Sequence, residues 1–395
     1  MEMSMSISES AVLQARLGRI EGYLLQDADN LGLLDECVDL AFRLGKLQYA
    51  RKRAERALAL APGDARFLFR LASVCIAERR LDDAERILSE LRSAGTAAPV
   101  VCYNLAYTYV LKGRDTEAAA LLREILTAPG CPPEAERLLM RSLHGAGQVE
   151  EALEIATRRL ETHPGDARTM GIASLLYLDK GDIEQAGKLS AQALEAEPDD
   201  MAALVTRGSV ALAMEKSDDA RLDFERALTL NPQDGRSWSG LALSSMFALD
   251  LERARTQFEK AVANMPGHVG TWHALAWCQI LLKDLDGAAA TFERALSLDR
   301  NFAESHGGRA VVAALQKRTD VARESASVAL RLDPNCLSAR YAKAILSGEI
   351  KDAASFRRFA KGVLQGQPAP GGGDMRGVLA RMQGTAVRGG RLPRK

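Results

Sequence analysis

The apolar positions of this chain have helical spacing and a long period. Ala50, Ala84, Ala118, Ala152, Ala186, Ala220, Ala254, Ala288 and Ala322 follow one another at steps of 34 residues, without insertion or deletion. Composition alone does not keep register over such a length. Phe224, Phe258 and Phe292 lie four residues after their alanines, and Ala57, Ala193, Ala227, Ala261, Ala295 and Ala329 lie seven after theirs. Spacings of four and seven place these side chains on one stripe of a helix. Pro62, Pro164, Pro198, Pro232, Pro266, Pro334 and Pro368 fall twelve residues after the alanine position, where that helix must end. A second helical stripe precedes each alanine, as in Trp238/Leu241/Ala242 and Trp272/Leu275/Ala276. Turn signals such as Lys112-Gly113-Arg114 and Lys180-Gly181-Asp182 separate the two stripes. Asp64, Asp166, Asp200 and Asp234, just after their prolines, read as N-caps of the next helix. The pattern predicts an all-α chain built from helix pairs, since no alternating Val/Ile/Thr-rich runs suggest strands.

These residues resemble the tetratricopeptide-repeat family, whose 34-residue helix–turn–helix carries W-x2-L-G-x2-Y, then A-x3-F, then P. The resemblance divides the chain into ten units beginning at Leu31, Ala65, Pro99, Pro133, Ala167, Met201, Gly235, Val269, Ala303 and Leu337. It implies a right-handed superhelical solenoid of antiparallel helix pairs, because one hairpin cannot bury its apolar face alone and must stack on its neighbours. Residues 1–30 are expected to supply an N-terminal capping helix, 31–336 nine repeats, and 337–365 a degenerate tenth repeat. In that last repeat Phe356 replaces the alanine and Gly348 interrupts the first helix. A pentatricopeptide array, which reads RNA, would drift to a 35-residue period; this one does not.

Charge changes the picture only at the C-terminus. The chain has 52 basic and 52 acidic side chains, so nothing global argues for nucleic acid or membrane. Residues 366–395, however, hold Arg376, Arg381, Arg388, Arg391, Arg394 and Lys395 against the single acid Asp374. The Pro/Gly start of this stretch reads as a flexible basic tail, and Arg388, Arg391 and Arg394 as its contact residues for an acidic partner or polyanion. No apolar run is long enough for a membrane span, and Met1 to Ser10 lacks the features of a signal peptide. The six cysteines have no framework spacing. Together these predict a protein of the reducing cytoplasm.

Catalytic chemistry has no foothold. The five histidines form no HxxH or HExxH pairing, and there is neither a GxxxxGK[ST] loop nor a GxSxG elbow. No enzyme activity, cofactor or metal is expected.

The resemblance implies a groove lined by the second, fifth, ninth, twelfth and thirteenth residues of each repeat. Phe69, Ile76, Tyr103, Tyr107, Val110 and Leu111 make an apolar and aromatic zone. Arg137, Arg141, His144 and Arg168 make a basic zone. It suits a partner's carboxylates, or else is a solvated face paired with Glu134, Glu136 or Glu151. Arg236, Leu243, Met246, Phe247, His273, Trp277, Ile280 and Leu281 return to apolar character. Tyr103 and Tyr107 suit either a stacking platform or a packing seam. Trp238 and Trp272 hold the family's structural tryptophan position, whereas Trp277 stands where none is required and could anchor a partner. Arg207 and Arg309 replace apolar residues and mark polar junctions in the core or point to the groove rim. The Lys/Asn carboxylate clamp of chaperone-tail binders is missing, and of the asparagine ladder of the nuclear glycosyltransferase superhelix only Asn104 is present. The expectation is a protein-binding scaffold or adaptor holding a peptide or helical segment. The alternatives are an assembly factor for a bacterial secretion or pilus machine, and RNA or polyanion contact through the tail. Self-association depends on how the ends are capped.

Overall fold

The computed structural model describes residues 7–95, 98–352, 354–355 and 358–359. Among them are twenty helices and no strand. The chain divides into two units, residues 1–159 and 160–395.

The first unit opens with α1 (Ile7–Gln26). Helix pairs follow: α2 (Leu31–Arg43) with α3 (Leu47–Leu60), α4 (Ala65–Ala77) with α5 (Leu81–Ser93), α6 (Pro99–Leu111) with α7 (Asp115–Ile125), and α8 (Ala135–Gly145) with α9 (Val149–Thr162). The second unit continues with α10 (Ala167–Asp179) and α11 (Ile183–Ala196), α12 (Met201–Ala213) and α13 (Ser217–Leu230), α14 (Gly235–Phe247) and α15 (Leu251–Asn264), α16 (Val269–Leu281) and α17 (Leu285–Leu298), α18 (Ala303–Leu315) and α19 (Thr319–Leu332), and α20 (Leu337–Leu346). Within each unit second helices pack on the first helix of the next pair, as α3 does on α4, α5 on α6, α13 on α14 and α17 on α18.

Local chemistry explains the helix ends. Asp64, Asp166, Asp200 and Asp234 each accept a backbone N–H of the first turn they precede. Asn30 does the same for α2, and His268 uses its Nδ1 to accept from Thr271 N at 3.2 Å. Between the helices of a pair one residue takes a left-handed φ. Gly45, Gly113, Gly147 and Gly181 do so without side-chain cost, but Arg79, Glu215, Leu249, Lys283 and Lys317 do so as non-glycines. At these turns the following N–H returns to a carbonyl five residues back, as Lys46 to Ala41 (2.9 Å) and Asp250 to Ser245 (2.9 Å).

The nine register alanines are fully buried. They let the paired helices touch, and the space four residues on is filled by complementary volumes. Phe224 lies where Gly208 and Gly240 leave room, and Phe292 lies against Gly308. In the pairs where that fourth residue is Ala54 or Ala156, the facing first helix carries the larger Val38 or Met140, also buried. Volume is thus traded across the interface while packing density is kept. At the start of the first unit Leu13, Leu17, Ile20 and Leu24 of α1 close the core over Leu34, Cys37, Leu40 and Phe67. All six cysteines are free and five are buried.

Candidate partner-binding face

In each unit the candidate side chains that the sequence names lie on the first helices of the pairs. In the first unit its chemistry changes step by step. On α2, Asp35 and Asp39 are both engaged by Arg70 of α4, at 3.1 and 2.5 Å. On α4, Phe69 and Ile76 are partly buried, and Ser73 Oγ donates back to the Phe69 carbonyl at 3.0 Å. On α6, Tyr103, Tyr107 and Val110 are partly buried. On α8, Arg141 is exposed, and Arg137 and His144 are partly buried.

Tyr103, Tyr107, Arg137 and Arg141 come together. Burial first, then the neighbouring Glu134 carboxylate and Tyr107, push the Tyr103 hydroxyl above its ordinary value, while Arg141 and Arg137 pull it down. At neutral pH both effects leave a protonated phenol that can donate a hydrogen bond. Two of the carboxylates named as neutralising partners of the basic zone are engaged elsewhere. Glu136 accepts from Arg159 at 2.6 Å, and Glu151 accepts from Arg123 at 3.0 and 2.7 Å. Arg141 makes no ion pair with a described residue.

The same face of the second unit is answered from within. Arg236 of α14 reaches back two repeats and forms a two-pronged pair with Asp179 of α10, at 3.2 and 3.1 Å. Arg168 pairs with Glu197 at 3.1 Å. Trp277 is partly buried. Its Nε1–H donates to His273 Nε2 at 2.9 Å, and its ring stacks on Tyr341 of α20, two repeats on, at 6.4 Å. Tyr341 in turn meets Phe359 at 5.9 Å. Small residues on α18 make this span possible. Gly307 allows α20 so close that a Cβ there would stand 2.6 Å from Ser338 Cβ. The Trp277 donation leaves His273 neutral with its proton on Nδ1, and that atom is buried without a partner among the described residues. His273 also packs edge-on to Phe292 and Phe302, and burial holds its pKa below the usual imidazole value. Phe247 is exposed.

Three residue types fall differently from a simple core-or-groove division. Trp238 and Trp272 are partly buried, and each indole N–H donates to a proline carbonyl six residues back, Pro232 at 2.8 Å and Pro266 at 2.9 Å. His306 makes the matching contact to the Arg300 carbonyl at 2.8 Å. Arg207 and Arg309 sit at polar junctions beside the buried Asp223 and Ser325. Arg207 crosses its own hairpin to a two-pronged pair with Asp223, at 2.8 and 2.6 Å, and Arg309 reaches Glu293 and Ser325, each at 3.1 Å. Asp179 and Tyr341 were readable only as positions thirteen and five of their repeats; no local signal marks them as partners of Arg236 and Trp277. Arg388, Arg391 and Arg394 lie outside the described residues.

Two family models described as tetratricopeptide repeat match the chain, one at residues 41–99 and 248–315, the other at 173–235 and 205–268. Together they cover just over half of it. The chain belongs to the tetratricopeptide-repeat family. No curated protein matches it. Among solved structures, a monomeric mutant of IFIT1 with Gppp-AAAA is 16% identical, with 88% of each chain covered and a TM-score of 0.56. YrrB, a TPR protein with an unusual peptide-binding site, is 21% identical over 48% of this chain and 97% of its own, with a TM-score of 0.38. The pilF protein of Pseudomonas aeruginosa is 18% identical over 53% and 96%, with a TM-score of 0.45. The likeness to the IFIT1 structure shows the fold alone. Among the described residues no helix is long and apolar enough to cross a membrane, and no group of three metal-ligating side chains comes together.

Proposed function

We propose that this chain is a non-catalytic scaffold of a reducing, cytoplasm-like compartment that holds a segment of a partner protein against the first helices of residues 31–159. The observation that carries this reading is the partly covered Phe69, Ile76, Tyr103, Tyr107 and Val110 on α4 and α6, followed by the exposed Arg141 on α8. In residues 160–359 the arginines and the tryptophan of the first-helix face have partners within the chain: Arg236 with Asp179, and Trp277 with His273 and Tyr341. In residues 31–159 the exposed Arg141 stands beside two tyrosines, and two nearby carboxylates are already engaged. Five buried free cysteines fit a reducing surrounding.

A photo-crosslinking amino acid placed at Val110, on this face, and at the exposed Leu222, on a second helix, tests the reading in the native cell. Discrete adducts from position 110 and none from position 222 are expected. Adducts from 222 alone would place the working surface elsewhere.

A further inference from the structure

We infer that residues 375–386 dock on an apolar stripe at the ends of α12, α14, α16 and α18, so that the second unit covers this stripe with the chain's own C-terminal segment. The partner face of residues 31–159 takes no part in it.

The stripe follows from the repeat. Phe247, Leu281 and Leu315 are the last residues of α14, α16 and α18, at steps of 34, and Met214 is the C-cap of α12. All four are between 39 and 53% exposed. Apolar side chains scattered singly on a surface are ordinary, but four in successive repeats, each at the same end of its helix, are not scatter. Behind them Met246 packs on a cluster that includes Leu275 and Cys278 of α16, and Ile280 on one formed by α18, α19 and α20. Phe247 and Leu281, each the next residue along, are left outside those clusters. The charges beside the stripe are mixed, with Glu215, Asp250 and Asp284 against Lys283 and Lys317, all exposed. They favour neither sign of guest, so the stripe selects for apolar surface.

The occupant is identified by where the described chain stops. Phe359 lies against Tyr341, with ring centroids 5.9 Å apart, and Tyr341 against Trp277 at 6.4 Å. Leu281 is one helical turn beyond Trp277 on the same side of α16. The chain therefore arrives on the side of α16 that carries the stripe. Sixteen residues beyond Phe359, Met375 begins a second pattern. Met375, Val378, Leu379 and Met382, continued by Ala386, have the spacing of one helical stripe, with Arg376 and Arg381 off it. These residues lie outside the described part of the chain, and the apolar stripe their spacing predicts needs a cover. At about 3.3–3.6 Å per residue, the connection spans up to about 55 Å. Three steps between packed helices cover only ~30 Å, so every part of the stripe is within reach. As a helix, 375–386 would be about 18 Å long, close to the ~20 Å between the ends of α14 and α18 at ordinary packing distances. A segment on the same chain also acts at an effective concentration on the order of millimolar, which a separate partner must exceed.

The test is photo-crosslinking in the purified full chain at high dilution, read by mass spectrometry. A benzophenone amino acid at Leu281 or at Leu315 should form an adduct with residues 375–388 in a product of single-chain mass. The same amino acid at the exposed Leu222 of α13 should form none with that segment. Leu379→Glu with Met382→Glu should lower the Leu281 adduct at least about tenfold, because two apolar side chains leave the contact. Both positions lie outside the twenty helices, so an unfolded array does not explain that loss. Arg376→Gln with Arg381→Gln, and raised salt, should leave the adduct undiminished, since apolar burial and not charge carries it. An adduct between two chains would assign the stripe to a second copy and overturn the inference. So would an adduct that salt abolishes, one indifferent to Leu379→Glu with Met382→Glu, or none with residues 375–388 at either position.

Discussion

Gly240→Ala is the sharpest probe of the packing that builds the array. The added methyl would lie 2.2 Å from Phe224 Cζ and 2.5 and 2.6 Å from its two Cε atoms. The ring has nowhere to withdraw. It is 1% exposed, and a Cβ on Gly208 would stand 2.9 Å from the same Cζ. Forcing atoms into a filled core costs about 1–3 kcal/mol, and overlap with three ring atoms puts this case near ~3 kcal/mol. Replacing a helix-interior glycine by alanine returns about 1 kcal/mol of helix propensity. The net expectation is destabilisation by about 2 kcal/mol. Gly187→Ala is the matched control. Its nearest neighbour is Val210 Cγ1 at 3.4 Å, an ordinary contact, so only the propensity gain of about 1 kcal/mol remains and the sign reverses.

A repeat array couples mainly to its nearest neighbours, so damage should stay local. Hydrogen exchange read by mass spectrometry on peptides from α12 to α15 measures this, beside the urea midpoint of the whole chain. Gly240→Ala should speed exchange in those helices and leave α4 and α5 unchanged. Adding Phe224→Leu should restore much of the loss, a favourable coupling between touching residues. A Gly240→Ala protein as stable as the parent, or one not improved by Phe224→Leu, would refute the claim that Phe224 is wedged between two glycines.

Three further outcomes follow from single features. His273 and His268 both have pKa values lowered first by burial. As pH falls below about 6.5 the unfolded chain binds protons that these folded imidazoles refuse, so stability should drop on acidification. Urea midpoints between pH 8 and 5 measure the slope, and His273→Gln, which keeps an acceptor for Trp277, should flatten it; an unchanged slope contradicts the assignment. Trp238→Phe and Trp272→Phe each delete one indole-to-proline-carbonyl bond and should cost about 0.5–1.5 kcal/mol in thermal or urea unfolding, with a loss near zero counting against that bond. Leu249 holds φ at 62° while 77% exposed, so Leu249→Gly should raise the unfolding midpoint by relieving about 1 kcal/mol of left-handed strain, and a lowered midpoint would show that the leucine side chain has a contact worth more than its strain.

The helices were legible because their information is local and repeated. Each alanine, proline and aspartate reports on its own turn, and nine alanines in one register average away the exceptions. Even those exceptions obey the same geometry: Lys283 and Lys317 adopt the left-handed turn that Gly113 and Gly181 adopt at less cost. Arg207 was harder. Its repeat position marks an apolar slot, but whether a guanidinium there is buried or reaches outward depends on Asp223, sixteen residues on, in the second helix of its hairpin.

The candidate face was legible as a list of positions and illegible as a pattern of satisfaction. Arg236 and Arg141 look alike in sequence, each a basic residue at a groove position. They differ because Asp179, 57 residues before Arg236, accepts both of its hydrogen bonds, whereas no described residue pairs with Arg141. Trp277 reads in isolation as an exposed anchor, yet Tyr341 covers it across a repeat thinned by Gly307 and Gly308. Contacts between repeats n and n+2 depend on how closely the intervening helix lets its neighbours approach, and a 34-residue period does not encode that distance. In the second unit a first-helix position is satisfied by side chains two repeats away, as Asp179 satisfies Arg236 and Tyr341 covers Trp277.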